Sequence, residues 1–481
     1  MKKAVQYGAG NIGRGFIGQL FRRSGYEVVF IDVNLEIVNA INMFHSYPIE
    51  IMSEDDPGEE IIDMVRAVDG RDREAASEEI AGADIMATAV GANILPRIAG
   101  TIASGLMKRW ARGNSSPLNI IVCENLIDAG KYLGDLIKKE LPDPEKALFD
   151  DRTGLVEASI GRMVPIMTPE MQKGNILRIC VEPYDTLPVD KAAFRGPLPE
   201  IVNMVPYEPF DFFIRRKLYI HNLGHAVTAY SGFLQNYNYI WESIRDPYIR
   251  ILVSGAMQES AIALSMEYNV PLRELLLHVD NLINRFGNRL LGDTNARVGK
   301  DPVRKLAPGD RLTGSLELCL RHGISPAFIS AGIASAFCFA EKGDPSALEI
   351  QSFIAENGIA GALAKYCGLE GTGADAGDTA AAAIGATDTG ADADTAGATP
   401  ADVGATPADV GATPADAGAD ADTAGADAMP GHRTVPCLTG HRTVPCLTHK
   451  TIESVISFYE MYKEKAGLDQ ILAKADKIKN K

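Results

Sequence analysis

Ala4-Val5-Gln6-Tyr7-Gly8-Ala9-Gly10-Asn11-Ile12-Gly13-Arg14-Gly15 lies almost at the start of the chain, and its reading decides the fold. A short apolar run gives way to glycines spaced G-x-G-x-x-G, and Phe16–Arg23 then carries a helical pattern. Strand, glycine turn and helix in that order suit a pyrophosphate. Gly8 permits the tight turn, Gly10 lets the backbone approach the phosphates, and Gly13 lets helix and strand pack closely. Asn11 and Ile12 complete the turn at the helix N-terminus, where unpaired N–H groups and the helix dipole favour an anion. Nineteen positions beyond Gly13, the apolar run VVFID ends in Asp32. A carboxylate there can accept from the adenosine ribose hydroxyls and would repel a 2′-phosphate. No arginine follows it, since Val33 and Asn34 come next. The expected cofactor is NAD rather than NADP.

Outward from this turn, Ala4–Tyr7, Glu27–Asp32, Asp84–Val90 and Asn119–Cys123 read as strands, with amphipathic stretches such as Phe16–Arg23 and Leu35–Asn42 between them. Strands alternating with helices predict a parallel sheet covered on both faces, a Rossmann-type α/β domain over residues 1–195. Ala89-Val90-Gly91 either lines the nicotinamide side of that site or is a tight turn and no more. From about residue 200 the pattern changes to long helices such as Tyr248–Tyr268, Leu272–Phe286 and Pro326–Phe339. A mostly α-helical C-terminal domain is therefore expected over 196–369.

Residues 370–448 are different material. ATPADVG stands at 398–404 and 405–411, and GHRTVPCLT is duplicated at 431–439 and 440–448. A segment so rich in Ala, Asp, Gly, Thr and Pro has little apolar bulk to offset the entropy of ordering, and it reads as a disordered insertion. Residues 449–481 regain helical periodicity and are expected to pack on the helical domain.

The 481 residues carry a net charge of −16, with 46% hydrophobic and 23% charged residues. Twelve of the acidic residues lie in 370–448 against Arg433 and Arg442, which leaves a mild −6 elsewhere. No basic face points to nucleic acid. The seven cysteines are scattered and never spaced C-x-x-C, which argues against disulfides or zinc and for a reducing compartment. The N-terminus lacks a signal-peptide pattern, and there is no long uncharged apolar stretch. A cytoplasmic protein without membrane contact, monomeric or a homodimer, is the expectation.

IRRKLYIHNLGHAVTAY contains Lys217, His221, Asn222 and His225. At roughly 100° per residue from Lys217, His221, His225 and Asn222 fall at roughly 40°, 80° and 140° on one side of a helix. Four polar groups on one arc of an apolar helix are either a buried polar network or the lining of a site. Chemistry gives the second reading content. Removing hydride from a secondary alcohol requires a base for the hydroxyl proton, and a desolvated lysine can serve near neutral pH. An asparagine amide can donate to the oxygen as it gains negative charge.

On these residues the chain resembles the polyol-specific long-chain dehydrogenase/reductase family, over about 1–369 and 449–470. The family pattern K-x4-N-x2-H falls on Lys217, Asn222 and His225. The resemblance implies that Lys217 is the general acid/base, Asn222 an oxyanion donor and His225 its orienting partner, with no metal. It also gives Asn125, in Cys123-Glu124-Asn125, a share of the oxyanion role. The segment 285–312 resembles the family's phosphate-substrate branch and offers Arg285, Arg297, Lys300, Arg304 and Lys305, with Asn288 nearby. Arg297, Arg304 and Lys305 are the expected phosphate ligands of a small sugar-phosphate substrate. Any of them could instead pair with Asp293, Asp301 or Asp310. Where the unphosphorylated-mannitol branch tends to place an Asp before the Arg of S-x-x-R, this chain has Gly161 before Arg162. An unphosphorylated polyol or hexuronate, or a non-catalytic NAD-binding regulator, are the alternatives.

Overall fold

β-Branched and aliphatic runs form the strands of the N-terminal half. They are β1 (Lys3–Tyr7), β2 (Glu27–Asp32), β3 (Ser46–Ile51), β4 (Gly58–Asp63), β5 (Val65–Asp69), β6 (Ile85–Thr88), β7 (Leu118–Val122) and β8 (Thr153–Glu157). Beyond them lie β9 (Ile179–Val181), β10 (Leu187–Asp190) and β11 (Met204–Tyr207). The computed structural model describes residues 1–165, 167–369 and 445–480. The repeats at 398–411 and 431–448, and the insertion expected over 370–448, lie outside the described residues except for 445–448, which open the helix Pro445–Lys463.

Six strands form one sheet in the order β5-β2-β1-β6-β7-β8, and every pairing in it is parallel. Its strands are buried on both faces, because separate apolar clusters cover the two sides. That is why they read as continuous apolar runs rather than alternating ones. The chain leaves β1 for β2 on one side and later returns to place β6 on the other. Ligands of open α/β sheets bind at such a switch point, outside the carboxyl ends of the strands. Tyr7 pairs with Ile31 and with Thr88, so Gly8, Asp32 and Ala89 emerge side by side at that edge. A smaller sheet, β4-β3-β9, packs against the first turn of the glycine-turn helix. A Cβ on Gly15 would come within 2.6 Å of Ile179, which explains the glycine.

From residue 211 onward the described chain is helical. Helix Leu223–Leu234 is buried along nearly its whole length, and Pro247–Tyr268 and Ala327–Phe337 pack on it. The helices Pro445–Lys463 and Leu468–Lys479 contribute Val455, Phe458, Ile471 and Ala475 to the same core. No helix among the described residues is long and apolar enough to cross a membrane.

Candidate active site

The glycine turn is held from three sides. Gly8 has φ +95°, and a Cβ there would sit 2.4 Å from the Ala89 carbonyl oxygen of the neighbouring strand end. A Cβ on Gly13 would sit 2.0 Å from the Gly8 carbonyl oxygen. Gly10 differs, because a Cβ there meets nothing within 4 Å. Its side faces open space, as a backbone that must admit a phosphate requires. Asp32 stabilises the turn directly: one carboxylate oxygen accepts from the Ala9 N–H at 2.6 Å, and the other from Asn34 N–H at 2.9 Å. Asn11 donates to the Pro165 carbonyl at 3.4 Å. Ile12 packs against the apolar cluster beneath. These residues fit a dinucleotide: Gly10 leaves the backbone open to a phosphate, and Asp32 stands at the end of the next strand.

Arg14 was not among the expected site residues. Its buried guanidinium donates to the Ala9 carbonyl at 2.6 Å and to the Leu177 carbonyl at 2.6 Å. Burial lowers its pKa to about 10, still well above neutrality. It ties the turn to the loop before β9.

At the ends of β6 and β7 a second buried charge fixes the backbone. Glu124 accepts from the Thr88 hydroxyl at 2.7 Å and from the Val90 N–H at 2.9 Å. Desolvation raises its pKa, against the donors that favour the ionised form. The result is a rigid seat for the next residue, Asn125. A glutamate between Cys123 and Asn125, at the end of an apolar strand, was the available signal for it.

The helix of Lys217 departs from the simple wheel. Lys217–Asn222 forms a π turn between Asp211–Arg216 and Leu223–Leu234. Its wider i→i+5 bonding means that 100° per residue does not hold there; such bulges frequently mark functional sites. The half-buried Lys217 reaches Asn125, with Nζ 3.4 Å from Oδ1. Two residues 92 positions apart therefore meet between the domains. Asn222 and His225 are buried on the same helix. His225 stacks on Phe286 at 4.9 Å and 10°, and its Nε2 lies 3.8 Å from Asp293. Asp293 in turn pairs with Arg297. A small cavity beside them is lined by Met163, His225, Trp241, Phe286, Asn288 and Asp293. His221 is fully buried, edge-on to Phe286 at 5.3 Å. Burial, then His225, Arg285, Lys217 and His278, keeps its pKa well below the ordinary histidine value.

The basic residues of 285–312 divide. Arg297 reaches the His225 neighbourhood through Asp293. Arg304 pairs with Asp301 at 3.1 Å and with Asp310 at 3.7 Å. Lys305 is buried, with its ammonium on the Lys300 carbonyl. The segment holding Arg304 and Lys305 is fastened to the helix of Lys217 and His225 by two hydroxyls, Tyr230 on Gly299 at 3.0 Å and Tyr219 on Gly309 at 3.1 Å. Arg285 makes a bidentate pair with Glu182 at 2.8 and 2.5 Å. Among the described residues no three His, Cys, Asp or Glu gather as metal ligands would.

A Rossmann-type sheet domain with a phosphate-ready glycine turn, joined to a helical domain that sends a lysine to the sheet's carboxyl edge, defines a two-domain dehydrogenase architecture. The mannitol dehydrogenase Rossmann domain matches residues 2–203, and the mannitol dehydrogenase C-terminal domain matches residues 210–365. The chain belongs to the mannitol dehydrogenase family. Among solved structures, D-sorbitol dehydrogenase in substrate-free form is similar at TM-score 0.59 and 16% identity, over 70% of this chain and 80% of that one. Mannitol 2-dehydrogenase of Pseudomonas fluorescens, in a ternary complex with NAD and D-mannitol, is similar at TM-score 0.60 and 14% identity, over 76% and 86%. At these identities the likeness is one of fold.

Proposed function

We propose that the protein is an NAD-dependent polyol dehydrogenase that interconverts D-mannitol 1-phosphate and D-fructose 6-phosphate, with Lys217 as general acid/base. The observation that carries the reading is the Lys217–Asn125 contact at 3.4 Å, at the sheet edge where the glycine turn opens. Gly8, Gly10, Asn11, Ile12, Gly13 and Asp32 would hold NAD, which when bound supplies the hydride acceptor. The chain's own residues manage the proton. In alcohol oxidation the Lys217 amine takes the hydroxyl proton as the carbinol C–H bond breaks, and it returns that proton to the carbonyl oxygen in the reverse direction. Because the Asn125 carbonyl oxygen faces Lys217, its amide N–H group is left to donate to the substrate oxygen, a role shared with Asn222. His225, stacked on Phe286 and backed by Asp293, orients Asn222. Of the expected phosphate ligands, Arg297 is the one whose ion pair adjoins His225.

One observation favours a second reading, an uncharged polyol as substrate. Arg285, Arg297 and Arg304 each already face a carboxylate, so a phosphoryl group must compete with them. NADH oxidation with fructose 6-phosphate and with fructose, each with and without a chelator, separates the two. The phosphate reading predicts a preference for fructose 6-phosphate of more than about tenfold, 1.4 kcal/mol of transition-state binding, and indifference to the chelator. Equal rates, or a preference for fructose, would install the second reading.

A further inference from the structure

Between the glycine turn and the helix of Lys217 runs a chain of largely buried polar contacts that ends on Phe286. Arg162, 1% exposed, donates from Nη1 to the Gly15 carbonyl at 2.9 Å and also to the Gln19 side chain, both on the glycine-turn helix. Its Nε donates to the backbone carbonyl of Glu182 at 3.0 Å. The carboxylate of Glu182, 2% exposed, receives both prongs of the Arg285 fork and the Met163 N–H. Arg285 Nη2 also donates to the Gly161 carbonyl at 3.0 Å, beside Arg162 itself. Phe286, the next residue, stacks on His225 and stands edge-on to His221. Asp185, Arg23 and Glu60 flank Arg162 further out. None of these groups touches the reacting atoms in the proposed mechanism.

Buried bidentate pairs contribute little net stability, but they fix geometry, and removing one partner leaves an uncompensated charge. Here the pairing joins two domains across their contact. We propose that Arg162, Glu182 and Arg285 are positioning residues that couple dinucleotide binding at the glycine turn to the placement of the Lys217–His225 segment. A cofactor that orders the Gly13–Ile17 turn thereby orders Gly15, Arg162, Glu182, Arg285 and Phe286 in sequence. The coupling rests on the proposed assignment of the glycine turn to NAD.

Hydrogen exchange of the full chain, with and without NADH, tests this in the parent and in Glu182→Gln. In the parent, NADH slows exchange both at residues 8–20 and at 217–230. In Glu182→Gln, protection of 8–20 persists while the effect at 217–230 falls by about fivefold or more, and kcat falls with little change in NADH affinity. Full protection of both segments in Glu182→Gln overturns the coupling. Parent protein in which NADH leaves 8–20 unprotected overturns the cofactor assignment instead, and the coupling with it. If Glu182→Gln does not fold, Arg285→Lys, which keeps the charge but loses the fork, carries the same comparison.

Discussion

The glycine turn and the segment 285–312 were both expected to hold anions, and the structure treats them differently. At the turn, anion binding is a property of the backbone. Glycines at 8 and 13 are forced by contacts of 2.4 and 2.0 Å that a Cβ would make, and Gly10 is left open. In 285–312, anion binding depends on side chains, and carboxylates have already reached most of them. Backbone sites can be read from residue spacing. Side-chain sites depend on partners that the sequence leaves unpaired on the page.

That contrast can be pressed. Gly13→Ala should destabilise the fold by about 3 kcal/mol, because the new Cβ has backbone rather than a flexible side chain to displace. Gly10→Ala should fold like the parent yet weaken NADH binding by about tenfold or more, roughly 1.4 kcal/mol. Thermal melts and NADH fluorescence titrations on the two variants check this pair. Equal behaviour would remove the distinction between a packing glycine and a ligand glycine.

In the other region, Arg297→Ala should lower kcat/KM for fructose 6-phosphate by about tenfold or more beyond any loss with fructose, the worth of one charge-assisted contact. Arg304→Ala should change neither by more than about twofold, since its pairs with Asp301 and Asp310 are half-exposed. The reverse ranking would move the phosphate from Arg297 to Arg304.

A further effect concerns pH. His221 is buried neutral with its pKa held well below the ordinary value. Below about pH 6.5 the unfolded chain takes up a proton that the folded chain refuses, so stability is lost as pH falls. Between pH 7.5 and 5.5 that loss is about 1.4 kcal/mol for one such group. Urea denaturation of the parent and of His221→Phe should show the variant losing less over this interval; parallel losses would mean that His221 protonates readily in the folded state.

Much of the fold was legible. Glu27–Asp32 and Leu272–Phe286 fall where apolar periodicity set them, because both are dominated by a single packing surface or pair of surfaces. The β3–β4 hairpin was not foreseen, since SYPIEI and GEEIID are half-polar and depend on β9, more than a hundred residues away. The π turn at Lys217–Asn222 has no signature in residue pattern, and it alters which side chains share a face. Lys217, Asn222 and His225 could be grouped because they are neighbours on one helix. Their meeting with Asn125 needed a family resemblance. Glu182 went unread, because a lone carboxylate in sequence looks like a solvated surface residue until its donors are known; Asp293 was foreseen only as an ion-pair partner, and Glu124 only as Asn125's neighbour.

Single-turnover hydride transfer from NADH to fructose 6-phosphate, in the parent and in Lys217→Ala, reaches the centre of the mechanism. The account predicts a loss of about a thousandfold in the transfer step, within the range for removal of a general acid/base, with NADH affinity intact. A rate within about tenfold of the parent, less than 1.4 kcal/mol of barrier, would contradict it and remove Lys217 as the proton carrier.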